Sequence, residues 1–256
     1  MKVALQSMTL MNYMKTDEQI KETLKRVKEI GYNAIQISGI GTITKDKAEL
    51  VRNECQNLNL EICATHTNLE SLENNLDWII EYHHLWNSKY VGIGMMPKEY
   101  MVSEDTIIDF CNKINIIGEK LAKAGLILIY HNHAFEFKLY NGKLGMDILL
   151  SHLNKYVQFE IDTYWVQRGG SNPSKWINLV KGKMDVVHFK DMGIRGWDEQ
   201  FMEVVGLGNL DWDVIIKNCL DNNVLWACVE QDDCQGRDPF SCIKLSLDFL
   251  KSKGLK

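Results

Sequence analysis

The sequence has little proline and no long apolar run, and its cysteines follow neither a disulfide nor a metal-binding pattern. Only 3 of the 256 residues are proline, and apolar stretches all fall short of the roughly 18 residues that a membrane-spanning helix needs. The 7 cysteines are odd in number and form no CxxC pair, which argues against a disulfide framework and a zinc knuckle. We therefore expect a soluble protein whose cysteines are core residues in a reducing cytoplasm.

An excess of positive charge is also missing. The formal net charge is −5, so the average surface would repel a phosphate backbone, and nucleic acid is a disfavoured partner. The first residues, MKVALQSMTLMNYMKTDEQ, interrupt their apolar run with polar residues too early for a secretory signal. The sequence predicts a cytoplasmic protein without a membrane partner, and it leaves open whether the chain forms a homo-oligomer.

Strand-like apolar runs alternate with amphipathic helical segments along the whole chain. The first run, at residues 3–7, precedes a helix that begins at Asp17 and ends at Gly31. The helix after the third run is expected to be continuous from Leu72 to Ile80. Eight such units in a chain of this length predict an α/β fold, a single (β/α)8 TIM barrel domain over residues 1–256 with a closed parallel sheet. The later strand-like runs are residues 33–37, 62–64, 90–93, 126–130, 157–161, 186–189 and 225–229.

A doubly wound open sheet is the alternative to the closed barrel. Eight units exceed the usual number of strands in an open sheet, and no dinucleotide-binding glycine motif follows the first strand. The tripeptide Gly206-Leu207-Gly208 lacks a third glycine and follows no strand, so we interpret it as a turn. After the fifth strand, residues 135–140 followed by Asn141-Gly142 predict a small hairpin or a loop, because Asn-Gly supplies the positive φ values of a tight turn.

Four of the predicted strands end in a residue that can bind a metal ion. In a parallel barrel the carboxyl ends of all strands meet at one rim, where such barrels keep their chemistry. Two imidazoles and two carboxylates suit a divalent ion of intermediate softness, with Mn²⁺ as our first choice and Zn²⁺, Co²⁺ or Fe²⁺ as alternatives. One such ion would bind two adjacent oxygens of a hydroxy-ketone and stabilise an enediolate. The predicted ligands are His131, Asp162, His188 and Glu230.

The later part of the chain is similar to a known family. Residues 130–137, YHNHAFEF, resemble the fifth-strand signature of the xylose isomerase-like sugar isomerase and epimerase family, a superfamily that includes AP endonuclease family 2. The resemblance implies an eight-stranded barrel, one divalent metal ion on the four ligands named above, and a keto-sugar or related polyol substrate. In the tagatose 3-epimerase branch a glutamate stands at the position of His131 and a histidine at that of Trp165. The other matching blocks, in order, are residues 159–163, 187–191, 206–208, 211–212 and 229–230.

Several residues near the rim are candidates for catalysis. Glu230 is expected to act as general base as well as ligand, and His133, two residues after His131, can face the same cavity as an acid or base. Glu136 is expected to bond a substrate hydroxyl, or else to be a solvated loop charge. Lys190 either places positive charge against an enolate or pairs with Asp191.

The first functional hypothesis is a metal-dependent isomerase or epimerase of carbohydrate metabolism, with His66 and Trp165 binding the sugar. The second is a lyase of the same family that acts by β-elimination on a 3-keto-glycoside or an inosose-type substrate. A non-catalytic sugar-binding barrel is a further alternative. An abasic-site DNA nuclease is disfavoured because Gly92-Ile93-Gly94 ends the fourth strand without a histidine ligand. The sequence fixes neither the substrate nor its phosphorylation state.

Overall fold

Eight parallel strands close into a barrel in a computed structural model that describes residues 1–256. Each strand pairs with the next along the chain, and the first pairs with the last, with Lys2 opposite Trp226. The predicted (β/α)8 TIM barrel is confirmed, and the open sheet is excluded. The strands are β1 (Lys2–Gln6), β2 (Ala34–Ile37), β3 (Glu61–Thr67), β4 (Tyr90–Ile93), β5 (Ile127–His131), β6 (Val157–Asp162), β7 (Val186–Phe189) and β8 (Trp226–Val229).

Ten helices surround the barrel, and none combines the length and the hydropathy of a membrane span. The first begins after the N-cap residue Thr16 and ends where Gly31 adopts a φ of 113°, as the sequence predicts. The expected continuous helix from Leu72 to Ile80 is wrong, because Asn75 leaves helical geometry with a φ of −133° and divides it in two. The helices are α1 (Asp17–Ile30), α2 (Lys45–Asn57), α3 (Leu69–Asn74), α4 (Leu76–Trp86), α5 (Glu104–Lys123), α6 (Gly145–His152), α7 (Thr163–Arg168), α8 (Pro173–Leu179), α9 (Trp212–Asp221) and α10 (Pro239–Ser252).

Two small hairpins extend from the carboxyl end of the barrel. The first pairs Leu139–Tyr140 with Lys143–Leu144 through Asn141 and Gly142, whose φ values of 51° and 83° confirm the predicted tight turn. The second pairs Asp191–Arg195 with Glu199–Glu203, and sequence analysis did not identify it. Trp197 in its turn is 96% exposed, so this hairpin presents an aromatic ring to solvent.

The barrel interior is apolar near the strand starts and polar near the strand ends. Side chains of a strand alternate between its two faces. In β6, Phe159 and Ile161 belong to the large apolar cluster between sheet and helices, which directs Glu160 and Asp162 into the interior. A smaller apolar cluster around Tyr90 fills the interior below them. The polar strand-end residues therefore share one enclosed space above an apolar floor.

Two glycines face the ring of His66: Gly92 lies on β4, and Gly94 follows directly after that strand. A methyl group on Gly92 would lie 2.5 Å from Cδ2 of His66. We expect Gly92→Ala to lower the free energy of unfolding by about 1–3 kcal/mol, because the ring or the strand must move. Urea unfolding followed by circular dichroism measures this change. Gly94→Ala is the control, since its methyl group would lie 3.2 Å from Nδ1 of His66 and needs only a small shift; equal unfolding midpoints for the two variants would contradict this packing.

Candidate metal centre

The four predicted metal ligands converge in the barrel interior. One ligand atom from each of His131, Asp162, His188 and Glu230 lies within 4.8 Å of every other, and all four residues are buried. His131 Nε2 lies 3.2 Å from Asp162 Oδ2, and His188 Nδ1 lies 3.0 Å from Glu230 Oε2. These four residues, the tetrad, are close enough to hold a single ion between them.

Neighbouring groups fix the orientation of both imidazoles. His131 donates through Nδ1 to the carbonyl oxygen of Gly94 at 3.1 Å, which turns Nε2 toward Asp162. His188 Nε2 lies 2.8 Å from Oε1 of Gln36, which turns Nδ1 toward Glu230. A metal-binding histidine commonly donates its second ring N–H to an oxygen in this way. Each imidazole therefore offers one nitrogen to the centre of the tetrad.

The charge around the tetrad also fits a divalent cation. Glu160, Asp162 and Glu230 are buried carboxylates, and Lys190 supplies the one buried ammonium that contacts this group. Buried carboxylates are costly unless a positive charge compensates them. A divalent ion would compensate two of these charges, and mixed imidazole and carboxylate donors suit such an ion. The residues present thus fit a divalent metal ion in both charge and donor type.

Lys190 lies between three carboxylates. Its Nζ is 2.7 Å from Glu230 Oε2, 2.9 Å from Asp232 Oδ2 and 3.2 Å from Asp162 Oδ2. Burial alone would lower the pKa of Lys190, but the three carboxylates raise it well above its usual value. The alternative pairing with Asp191 is wrong, because adjacent residues of an extended strand point in opposite directions. Lys190 is a fixed positive charge at the edge of the tetrad.

His133 and Trp165 place unpartnered polar atoms next to the tetrad. His133 lines the main cavity, and its Nδ1 and the Nε1 of Trp165 are both buried without a hydrogen-bond partner. Burial, together with the neighbouring His131, lowers the pKa of His133 to about 3, so the imidazole is neutral. Trp165, the predicted sugar-binding residue, does not line this cavity and instead packs 5.1 Å from the ring of His133. His133 is thus available to a ligand.

Glu136 lies away from the cavity. It belongs to a 3₁₀ turn over Phe135–Phe137 and is buried. Its carboxylate accepts a hydrogen bond from the hydroxyl of Tyr130 at 2.6 Å and another from the backbone N–H of His133 at 2.9 Å. Burial raises the pKa of Glu136 to about 7. Neither the predicted contact with a substrate hydroxyl nor the solvated loop charge is seen, because the turn directs the side chain inward, where it fixes the backbone at His133.

Glu160 is a site residue that sequence analysis missed. It joins His188 to His66: its Oε1 lies 3.1 Å from His188 Nε2, and its Oε2 contacts His66 Nε2. These three residues form a second cluster whose ligand atoms lie within 4.8 Å of one another. Burial alone would raise the pKa of Glu160, but the two imidazoles hold it well below its usual value. Its position two residues before Asp162 was the available signal, because such residues share one face of a strand.

The tetrad opens into a cavity of about 1150 Å³. His66, the second residue predicted to bind sugar, lines this cavity together with His133 and Lys190. The far side is formed by segments that follow β2, β3 and β4 and includes Trp78 and Tyr100. A ligand placed at the tetrad can therefore extend over the part of the rim formed by these three strands.

The closed barrel and the ligand set at its strand ends define a TIM barrel with a candidate metal centre. The chain belongs to the xylose isomerase-like TIM barrel family, whose sequence profile matches residues 24–253, as the sequence blocks predicted. A comparison with curated protein sequences found no match.

Three solved structures illustrate the shared fold. A sugar phosphate isomerase/epimerase from Parabacteroides distasonis has a TM-score of 0.81 at 20% identity, covering 98% of this chain and 93% of that one. A probable 3-DHS dehydratase from Bacillus anthracis has a TM-score of 0.75 at 13% identity, with coverages of 98% and 99%. A xylose isomerase-like TIM barrel protein from Mycobacterium smegmatis, in complex with magnesium, has a TM-score of 0.75 at 14% identity, with coverages of 98% and 95%.

If the tetrad holds the metal ion, substitution of one of its ligands should weaken ion binding. We expect His188→Ala to weaken Mn²⁺ binding at least tenfold, because it deletes a ligand and leaves Glu160 and Glu230 without their shared imidazole. Titration of the metal-free protein with Mn²⁺, followed by electron paramagnetic resonance, measures the affinity. His84→Ala, at an exposed position on α4, is the control and should bind as the unmodified protein does. Equal affinity in the two variants would argue against the tetrad.

A separate prediction concerns Glu160, which contacts His188 but is not one of the four tetrad residues. We expect Glu160→Gln to weaken Mn²⁺ binding by about 10–100-fold, since a neutral amide no longer increases the basicity of the imidazole. Calorimetric titration with Mn²⁺ measures the change. Glu81→Gln, the same substitution at an exposed position of α4, is the matched control. Unchanged affinity in Glu160→Gln would mean that Glu160 does not support the metal centre.

Proposed function

We propose that this protein is a metal-dependent sugar isomerase or epimerase that acts on a keto-sugar or a related polyol. The observation that carries the proposal is the opening of the buried tetrad into a cavity that His133 and Glu230 both line. A solved structure with the same fold is that of a sugar phosphate isomerase/epimerase, which supports the choice of reaction. Proton transfer beside a carbonyl is the common chemistry of both reaction types.

Two residues are placed to move protons in this reaction. Glu230 carries a carboxylate held 2.7 Å from Lys190 Nζ, and it can accept a proton from the carbon next to the substrate carbonyl. His133 is a neutral imidazole that can donate or accept a proton after binding the substrate. Lys190 stabilises negative charge that develops on a substrate oxygen. We propose Mn²⁺ as the ion that the tetrad holds, and it would supply Lewis-acid polarisation of the carbonyl.

A lyase is the second candidate function. In this reaction the same proton is removed, but a substituent on the next carbon leaves and no proton returns. The similarity to a probable 3-DHS dehydratase favours it, since a dehydratase eliminates water. The cavity beyond the tetrad also offers room for a leaving group. A 3-keto-glycoside or an inosose-type compound would be the substrate.

Deuterium exchange tests the proposed function. We expect the Mn²⁺-loaded protein to incorporate solvent deuterium next to the carbonyl of D-fructose, followed by nuclear magnetic resonance. His133→Phe should slow this exchange by about 10²–10⁴-fold, because it removes an acid/base group while leaving the tetrad intact. Trp197→Phe, in the exposed hairpin, should not change it. Release of phenol from phenyl 3-keto-glucoside would favour the lyase, and a metal-loaded protein inactive in both assays would contradict an enzymatic role.

A further inference from the structure

We infer that the substrate is an uncharged keto-glycoside of about disaccharide size, and that a sugar phosphate is excluded. The inference rests on the proposed function and specifies its substrate class. Three features of the chain support it: the charge of the cavity, the occupation of a loop that could bind phosphate, and the size and aromatic lining of the cavity beyond the tetrad.

The cavity has almost no positive charge to offer a phosphate. It has no arginine among its lining residues and one lysine, Lys190. The ammonium of Lys190 is already within 3.2 Å of three carboxylates. Phosphate recognition relies on arginine and lysine side chains, and a phosphate dianion here would face a surplus of carboxylates. The carboxylates that line the cavity are Glu70, Glu73, Glu99, Glu230 and Asp232, and of the three outside the contacts of Lys190 only Glu73 has a lysine partner, Lys113.

The loop that commonly binds phosphate in TIM barrels is occupied by the protein itself. In such barrels a phosphate site often forms from the loops after strands seven and eight. Here the backbone N–H groups of Gly206 and Gly208 donate to Oδ2 of Asp191 at 2.9 and 3.1 Å. Trp212 Nε1 donates to the same oxygen at 2.6 Å. The carboxylate of Asp191 therefore takes the place that an anion would need, and the loop donors are not free for a ligand.

The cavity is also larger than a single hexose requires. Its volume of about 1150 Å³ is above the range of roughly 300–1,000 Å³ that is usual for small-molecule sites. Its far part is lined by Trp78, Tyr82 and Tyr100. The ring of Trp78 is fixed by a hydrogen bond from Nε1 to the carbonyl oxygen of Ile43 at 2.7 Å. Aromatic rings of this kind stack on the apolar face of a sugar, so a second sugar unit fits here.

Neutral polar side chains accompany these aromatic rings. Thr67, Asn68, Ser71 and Asn75 line the same part of the cavity and can exchange hydrogen bonds with sugar hydroxyl groups. A sugar unit presents hydroxyl groups and carbon-bound hydrogens, whereas a phosphate presents only negatively charged acceptors. The far part of the cavity therefore matches a glycosyl group in both its aromatic and its polar residues.

Three related ketoses test the inference. D-Fructose, D-fructose 6-phosphate and isomaltulose differ only at O6, which carries a hydrogen, a phosphate or a neutral glucosyl group. We expect the Mn²⁺-loaded protein to exchange deuterium into isomaltulose with a kcat/KM at least tenfold above that for D-fructose 6-phosphate. Nuclear magnetic resonance in heavy water measures all three rates under the same conditions. Calorimetric titration with isomaltulose measures binding separately from exchange.

Variants of Trp78 connect the preference to the cavity. Trp78→Ala should lower kcat/KM for isomaltulose by roughly tenfold and leave that for D-fructose unchanged, because only the glucosyl group loses its stacking partner. Trp78→Phe keeps an aromatic ring and should retain most of the preference. Trp197→Ala removes an exposed tryptophan outside the cavity and is the control. Unchanged exchange on D-fructose also demonstrates that Trp78→Ala is folded.

The outcomes separate this inference from the proposed function. Faster exchange on D-fructose 6-phosphate than on isomaltulose would overturn the inference and leave the isomerase or epimerase proposal standing. Binding of isomaltulose that depends on Trp78, without exchange on any of the three sugars, would support the uncharged glycoside as ligand and contradict the reaction. Exchange on none of them together with no binding of isomaltulose would overturn both.

Discussion

The imidazole of His188 is held between two carboxylates, and the candidate metal centre depends on this arrangement. Glu160 lies 3.1 Å from Nε2, and Glu230 lies 3.0 Å from Nδ1. Burial alone would lower the pKa of His188, but the two carboxylates raise it to about 10. The pocket thus attracts positive charge at the point where the tetrad converges. A divalent ion bound by the tetrad would supply that charge in place of the imidazole proton, which leaves Nδ1 free to act as a ligand.

Burying these charged groups costs free energy, and the fold compensates for that cost. Buried carboxylates and a buried ammonium lose their hydration. Their mutual attraction offsets this desolvation free energy only where the geometry is fixed. Here β6, β7 and β8 are hydrogen-bonded neighbours, so Glu160, His188 and Glu230 sit on a rigid framework. The apolar cluster between sheet and helices stabilises that framework. Gly92 on β4 and Gly94 just after it leave room for the ring of His66, which completes the contact with Glu160.

The sequence correctly placed the residues at strand ends, because their positions follow from the repeated strand–helix units. It did not predict the position of residues such as Glu136, which depends on the direction in which the side chain points. The tetrad could be found because a parallel barrel brings all strand ends to one rim. Glu160 was missed because it lies inside a strand, although its spacing from Asp162 puts both on one face. Glu136 was misplaced because a 3₁₀ turn, which the sequence does not signal, directs it inward. The hairpin over residues 191–203 was missed because its polar residues do not alternate clearly with apolar ones.

The cavity divides into two parts that differ in how they are built. At the tetrad, the functional side chains come from barrel strands or from residues directly after them, so their distances are set by the hydrogen-bond register. In the far part, Asn68 and Tyr100 lie in connecting segments and Trp78 lies in α4, outside the sheet. Loops on a rigid scaffold tolerate sequence change far better than the scaffold does. Changes in these segments can therefore alter which group is accepted in the far part of the cavity, while the side chains at the tetrad stay in place. This separation is a physical reason why one barrel scaffold can accommodate several different ligands.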